Sequence, residues 1–440
     1  MTRALAAVAI LCTNLWSTTG TGLQEQKQKS TETSAQSANQ VVQWNRILLS
    51  IVRTQGAQPA TVHPTRSFAM MHAAIYDAVN AIDRTHAPYL VKVSGVPKHT
   101  SQEAAAAGAA HEVLVALYPS FKAMLDDDLQ QSLANIGTAK EVSEGLRVGQ
   151  GVGDRIVALR SSDGSDAPPV PFVFGTAPGD YQSTPPNFPK QPQFTSWSHV
   201  TPFALQHADQ FRPEPPPALD SDNYADAFNK TKSLGIMNST AATADQALTG
   251  RFWNGAIQNY WNEITQTAAI DFGLTTAQSA RLFALLNLSF ADSVIAFYDA
   301  KYTYNFWRPV TAIRSASTAI NANTTADPNW LPEVGNTTPD PSYPGAHAVI
   351  SAAGAKVLIA FFDGDRLNFQ VTSEVMPGVE RSFDSFSDAA QEATLSRIFA
   401  GVHFQFDLSS GQRLGRQVAD FVLDNFLTPR EKGPEENEDQ

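Results

Sequence analysis

Residues 341–358 read PSYPGAHAVISAAGAKVL. From Ala346 onward the residues are small or apolar, with no strand-like alternation, and the spacing predicts a helix over 346–362. The turn-forming run TTPDPSYPG (337–345) leads directly into it, so the helix starts near Gly345 or Ala346. His347 then lies in the first turn, where backbone N–H groups have no intrahelical partner and the helix dipole is positive. Such a helix start suits an anion. The reason for a histidine there has to come from what else the chain brings to that point.

Working outward, helical patterning dominates. TRSFAMMHAAIYDAVNAID (65–83) has a Thr cap candidate, and SQEAAAAGAAHEVLVALYP (101–119) stops at Pro119. Amphipathic pattern continues through 121–160 and resumes at 221–235, 242–266, 276–300, 346–362, 387–400 and 408–427. No segment shows several alternating strand runs. Between the two helical stretches, residues 164–220 hold 13 of the 27 prolines, a density no regular element survives. Its aromatics Phe172, Phe174, Trp197 and Phe203 predict a segment wrapped on the protein rather than a loose linker. The fold class read from this pattern is all-α, with helical regions at 41–220 and 221–427.

The chain has 440 residues, 42% of them hydrophobic, enough for one large domain or two joined ones. A net charge of −12 without a basic block argues against nucleic acid. An anion site must therefore be a local cationic pocket. The N-terminus, MTRALAAVAILCTNLWSTTGTG, has Arg3 before a short apolar run and then small polar residues. It reads as a signal peptide over 1–23, and the run is short of a membrane span. Export to a periplasmic or extracellular location is expected. The lone cysteine, Cys12, lies in that run, so the mature chain would hold no disulfide. Residues 24–40 are polar and read as a disordered linker, and the charged tail over 428–440 reads likewise.

Two further segments carry cations. In DAKYTYNFWRPVTAIR (299–314), Lys301 and Arg308 are seven residues apart. On one helix that is about 700°, which points both side chains the same way, with Pro309 ending or bending the helix. In LSRIFAGVHFQFDLSSGQ (395–412), Gly401 is a natural helix terminator. Across that turn Arg397 and His403 can reach one point, and Asp407 or Ser409 can cap the next helix. Three cations, one helix N-terminus and two histidines form a coherent oxyanion-binding set. Arginine offers paired donors and lysine a point charge.

These segments resemble a known signature. K-x6-RP (Lys301, Arg308, Pro309), P-x-YP-x-x-H (Pro341, Tyr343, Pro344, His347) and SR-x3-G-x-H-x3-D (Ser396, Arg397, Gly401, His403, Asp407) look like the three motifs of the vanadium-dependent haloperoxidase and type-2 phosphatidic acid phosphatase superfamily. The flanks FAMMHAAIYDAVNAI and GVHFQFD are similar to its bacterial haloperoxidase-like branch, over roughly residues 40–427. The resemblance implies two helical bundles around one vanadate or phosphate site. It implies Lys301, Arg308 and Arg397 on the oxyanion oxygens, with backbone donors from Gly345 and Ala346. His403 would be the axial nitrogen ligand of vanadium, or a nucleophile on phosphorus, and His347 the acid–base group. Asp407 would support the last motif. Lys301 would also polarise the bound oxidant.

Two departures stand out. Gly345-Ala346-His347 replaces the usual Ser-Gly-His, which removes a hydroxyl donor but not the backbone donors. Asp340 occupies a place where haloperoxidases carry an aromatic or histidine, and a carboxylate there would repel halide. The first reading is therefore an exported enzyme oxidising halide with hydrogen peroxide at a histidine-bound vanadate. The second is an acid phosphatase acting on a phosphate ester through a phosphohistidine, and the third a non-catalytic phosphate-binding protein. The soluble wrapping segment resembles the haloperoxidase branch more than lipid phosphatases. Nothing in the sequence points to a membrane span in the mature chain, and a homodimer is left open.

Overall fold

The computed structural model describes residues 39–134 and 136–430. Residues 1–23, read above as a signal peptide, most of the stretch read as a polar linker and the tail from residue 431 lie outside the described residues. The first helix, α1 (Gln40–Arg53), already starts inside the stretch read as linker, capped by the Asn39 side chain, which accepts from Val42 N. At the other end, Thr428 O accepts from Ala87 N at 2.8 Å and Arg430 N donates to Thr85 O at 3.0 Å. The first residues of the expected disordered tail are thus backbone-paired.

The N-terminal half continues with α2 (Thr65–Asp83), α3 (Gln102–Leu117), α4 (Lys122–Leu133) and α5 (Ala139–Arg160). Its starts follow side-chain chemistry. Ser101 accepts from Ala104 N, and Thr138 with Glu141 forms a capping box. Thr65 is inside α2 rather than its cap, since Pro64 holds that place and Pro64 O accepts from Phe68 N. The C-terminal half holds α6 (Asp222–Leu234), α7 (Ala244–Phe252), α8 (Ile257–Asp271), α9 (Thr276–Tyr304), α10 (Pro309–Ser315), α11 (Ala346–Phe362), α12 (Phe386–Phe399) and α13 (Gln405–Asn425). The single helix expected over 242–266 is two, broken at Trp253–Ala256. A two-stranded antiparallel hairpin, β1 (Arg366–Thr372) and β2 (Glu380–Ser385), was also not foreseen. Its alternation is one strand long on each side and buries Phe369, Val371 and Phe383. Among the described residues the regular structure is otherwise helical.

The long helix α9 joins the halves. An 18-residue window of it is apolar enough to cross a membrane, but 94% of that window is buried inside the protein, so its apolarity serves the core. It packs on α2 on one side and on α11 and α13 on the other.

Residues 164–220 contain one 3-10 turn, Trp197–His199, and no longer element. Side chains fasten this segment to the helices. Asp292 on α9, fully buried, accepts from the backbone N–H of Phe203, Ala204 and Leu205 at 2.6–2.7 Å. Arg160 donates to Thr201 O and Pro202 O. Further along, Tyr181 N donates to Asn305 O at 2.6 Å and Trp307 N to Gly179 O at 2.9 Å, which pairs the segment with the loop before Arg308. A backbone this poor in regular structure must satisfy its polar groups in such ways.

Helices α11 and α13 touch backbone to backbone. A Cβ on Gly415 would lie 2.0 Å from Val349 O, and one on Gly411 2.7 Å from Gly345 O. That approach brings Asp407 O to within 3.0 Å of Gly345 N and so joins the second and third motifs.

Candidate active site

Each of the three motifs sits at a helix end. Helix α9 stops at Tyr304 because Asn305 takes the left-handed conformation, φ 47°. Lys301 lies in its last turn. Arg308 is not on that helix but caps α10, with Pro309 at the first helical position. The two cations therefore do not share a helix face. They meet because the chain turns between them, and both reach Asp340. Arg397 lies in the last turn of α12, and Gly401 at φ 79° reverses the chain so that Val402 N returns to Arg397 O at 3.1 Å. His403 follows directly. Asp407 is not the cap residue of α13 but lies in its first turn, where its Oδ2 accepts from Phe404 N at 2.9 Å.

His403 is bonded through both ring nitrogens. Nδ1 lies 3.0 Å from Asp407 Oδ2, and Nε2 lies 3.1 Å from Arg308 Nη1. The guanidinium can only donate and the carboxylate can only accept, so Nδ1 carries the proton and Nε2 a lone pair. Asp407 Oδ2 also accepts from Ser342 Oγ at 2.6 Å. Burial, then Arg308 and Lys301, hold His403 well below the usual histidine range, and the ring stays neutral. Burial pushes Asp407 up to about 6, against the pull of Ser342 and the Phe404 amide.

His347 is half-buried in the first turn of α11. Its Nε2 lies 2.8 Å from Trp253 O, an acceptor, so Nε2 holds the proton and Nδ1 the lone pair. Burial and the neighbouring Arg397 hold it well below its ordinary value. Both histidines are therefore bases at neutral pH.

The three cations are all nine-tenths or more buried. Lys301 Nζ donates to Asp340 Oδ1, Pro341 O and Ser342 O. Burial first, then Arg308, lowers it to about 8. Arg308 donates to Asp340 O, Asp340 Oδ1 and Val402 O. Arg397 differs, because its Nη2 donates to Asn254 Oδ1 at 3.2 Å while Nε and Nη1 are buried without a partner. Burial, with Arg308 adding to it, lowers Arg397 to about 9. Orphaned guanidinium donors in a pocket of cations fit an oxyanion, because an oxyanion supplies the acceptors the protein withholds.

The backbone donors divide. Gly345 N donates to Asp407 O, so it is committed within the protein and is not the free anion donor expected from the sequence. Ala346 is the first residue of α11, where the N–H has no intrahelical partner. A cleft of about 330 Å³ reaches Arg397 from outside, lined by Thr184, Pro185 and Asn187 of the proline-rich segment and by Asn254 and Pro339. Trp253 and Asn254 were missed in the sequence. The Asn-Gly pair 254–255 inside an apparent helix was the signal that could have found them.

The chain is similar to known proteins in sequence and in fold. A family model described as the VCPO second helical-bundle domain matches residues 281–431. A vanadium chloroperoxidase from Curvularia inaequalis is 24% identical, the match covering 87% of this chain and 81% of that protein. The first bacterial vanadium-dependent iodoperoxidase to be solved superposes with a TM-score of 0.75 at 25% identity, covering 90% of this chain and 97% of that one. A bacterial vanadium-dependent chloroperoxidase in its holo form gives a TM-score of 0.63 at 15% identity, covering 82% and 90%. The match to the second helical bundle spans all three motifs, and the fold as a whole is similar to that of solved vanadium-dependent haloperoxidases.

Proposed function

We propose that this chain is a vanadate-dependent peroxidase that oxidises halide with hydrogen peroxide. The observation that carries this reading is the convergence of Lys301, Arg308, Arg397, His347 and His403 on one buried point where Arg397 Nε and Nη1 have no partner. Arg397, Arg308, Lys301 and Ala346 N–H would hold the oxyanion oxygens, and His403 Nε2 would be the nitrogen ligand to vanadium. Bound vanadate would supply a Lewis-acidic centre that activates peroxide. Asp407 fixes the His403 tautomer that leaves Nε2 unprotonated. His347 Nδ1 accepts a proton from hydrogen peroxide entering the cleft, and the Trp253 carbonyl keeps that ring turned the right way. Lys301 lends positive charge to the reacting oxygens.

The apolar run after Arg3 supports export as part of the proposal. N-terminal sequencing of protein from the extracytoplasmic fraction of its host should give a start beyond that run, and a start at Met1 in the cytoplasm would refute it.

The functional test loads the metal-free protein with orthovanadate and assays bromide- and iodide-dependent peroxidation beside phosphate-ester hydrolysis. Halide oxidation that requires vanadate supports the proposal. Ester hydrolysis without vanadate, with no peroxidation, replaces it with the phosphatase reading. His403→Ala should lose vanadate retention. His347→Ala should retain vanadate and lose turnover by roughly 10²–10⁴-fold.

A further inference from the structure

Lys301 and Arg308 do not offer their donors freely. An ammonium has three protons, and Lys301 Nζ already has three acceptors, in Asp340 Oδ1 at 3.4 Å, Pro341 O, and Ser342 O at 3.3 Å. Each nitrogen of Arg308 also donates, Nε and Nη2 to Asp340 and Nη1 to Val402 O. One carboxylate oxygen, Asp340 Oδ1, thus engages both cations. Asp340 is 3% exposed, and its other oxygen takes Gln193 Nε2 at 3.3 Å and Tyr298 OH at 3.5 Å. It is a fully engaged buried anion inside the cationic pocket. Arg397, with no carboxylate beside it, keeps two orphaned nitrogens.

We propose that Asp340 is an internal counter-ion that sets the anion affinity of the pocket. Loading is an exchange in which Lys301 Nζ and Arg308 Nη2 leave Asp340 Oδ1 for an oxyanion oxygen, after first contact at Arg397. The proposal rests on reading the pocket as an oxyanion site. Asp340 cancels one of three positive charges, so the pocket holds an oxyanion more weakly than its cation count implies. It favours the singly charged protonated form over a dianion, and it repels free halide.

Calorimetric titration of the purified protein with orthovanadate, and separately with inorganic phosphate, tests this at fixed pH and salt. Asp340→Asn keeps the shape and one acceptor but removes the charge, and it should bind either oxyanion about tenfold tighter or more. Asp340→Glu keeps the charge and should bind near the wild-type level. An Asp340 that merely orders the site would give the opposite result, with Asn binding more weakly and melting lower. Equal or weaker binding by a folded Asn variant overturns the proposal. A crystal structure of the wild-type protein with phosphate bound is the second measurement and needs no variant to fold. Asp340 Oδ1 should then lie beyond hydrogen-bond distance of Arg308 Nη2, and retention of that bond refutes the exchange. If neither protein binds either oxyanion, the functional reading falls as well. Wild-type binding without tightening in the Asn variant removes this proposal alone.

Discussion

Changing Asp407 to Asn should separate stability from affinity. In the wild type, Asp407 is fully buried and its Oδ2 accepts from Ser342 Oγ, His403 Nδ1 and Phe404 N. The amide oxygen of Asn can take the same three donors. Each bond then falls from the charged range of about 1.5–3 kcal/mol toward the neutral range of about 0.5–1.5 kcal/mol, a loss of roughly 1 kcal/mol apiece. Against that stands the cost of a buried charge, which the rise of the carboxyl from 3.8 to about 6 shows to exceed what the bonds return. The Asn NH2 takes the place of Oδ1, which is buried without a partner, and costs about 1–3 kcal/mol in turn. Gain and loss oppose each other, so the melting temperature should move by no more than a few degrees.

Affinity should not be spared. A neutral amide draws the Nδ1 proton less strongly, so His403 Nε2 becomes a poorer donor to vanadium. Replacing the partner of a metal-binding histidine typically costs 10–100-fold in affinity. Orthovanadate titration, with thermal melting on the same sample, reads both quantities. Vanadate affinity within a factor of about two of wild type, in a protein of unchanged melting temperature, would refute the assignment of Asp407 as the residue that orients His403.

Arg397→Ala should weaken oxyanion binding by about 1.5–3 kcal/mol without lowering the melting temperature, since it removes a buried cation with two unpartnered nitrogens; unchanged affinity on titration would remove Arg397 from the pocket. Gly401→Ala forces a Cβ to within 2.2 Å of Gly235 O at φ 79° and should destabilise by about 2–4 kcal/mol, read as a lower urea midpoint. Acid should destabilise the protein, although its buried groups pull both ways. His63 and His72 fall from 6.5 to about 3, and His347 and His403 also fall, so the folded state refuses protons that the unfolded chain accepts as pH drops through 6.5. Asp77, Asp292 and Asp407 rise from 3.8 to about 6 and act oppositely between those values. Four histidines over a wider window outweigh three carboxylates, so the urea midpoint should fall from pH 7 to pH 4, and a rise would contradict the balance.

Much of the site was legible because its residues sit at helix ends, and helix ends have local signals. The turn-forming run before Ala346 and the stretch after it locate α11 over Ala346–Phe362, the range the sequence predicts. Gly401 marks the reversal between Arg397 and His403 as expected. What was misread depends on partners far along the chain. Lys301 and Arg308 look like one helix face because spacing alone carries no information about Asn305, whose left-handed turn ends the helix between them. The donor role given to Gly345 fails because its N–H goes to Asp407 O, a contact created by the glycines of α13. The charge of Asp340 is legible in the sequence, but its pairing with Lys301 and Arg308 shows only once the fold places it between them.

Three buried cations within one pocket should repel one another, and a preformed site needs a reason to exist before its anion arrives. Two carboxylates supply it, by different means. Asp340 pairs directly with Lys301 and Arg308, and with the neighbouring carbonyls gives Lys301 three acceptors and each nitrogen of Arg308 at least one. Asp407 acts through His403, whose Nε2 lone pair accepts from Arg308 Nη1. Arg397 receives neither kind of help. Its desolvated guanidinium leans on Asn254 alone, and an unsatisfied buried donor costs about 1–3 kcal/mol. That residual cost is borne by the empty pocket and relieved when an oxyanion binds. The drive to bind therefore comes chiefly from Arg397, while selectivity comes from what Lys301 and Arg308 must give up. A pocket divided in this way folds without its ligand and still gains from acquiring it.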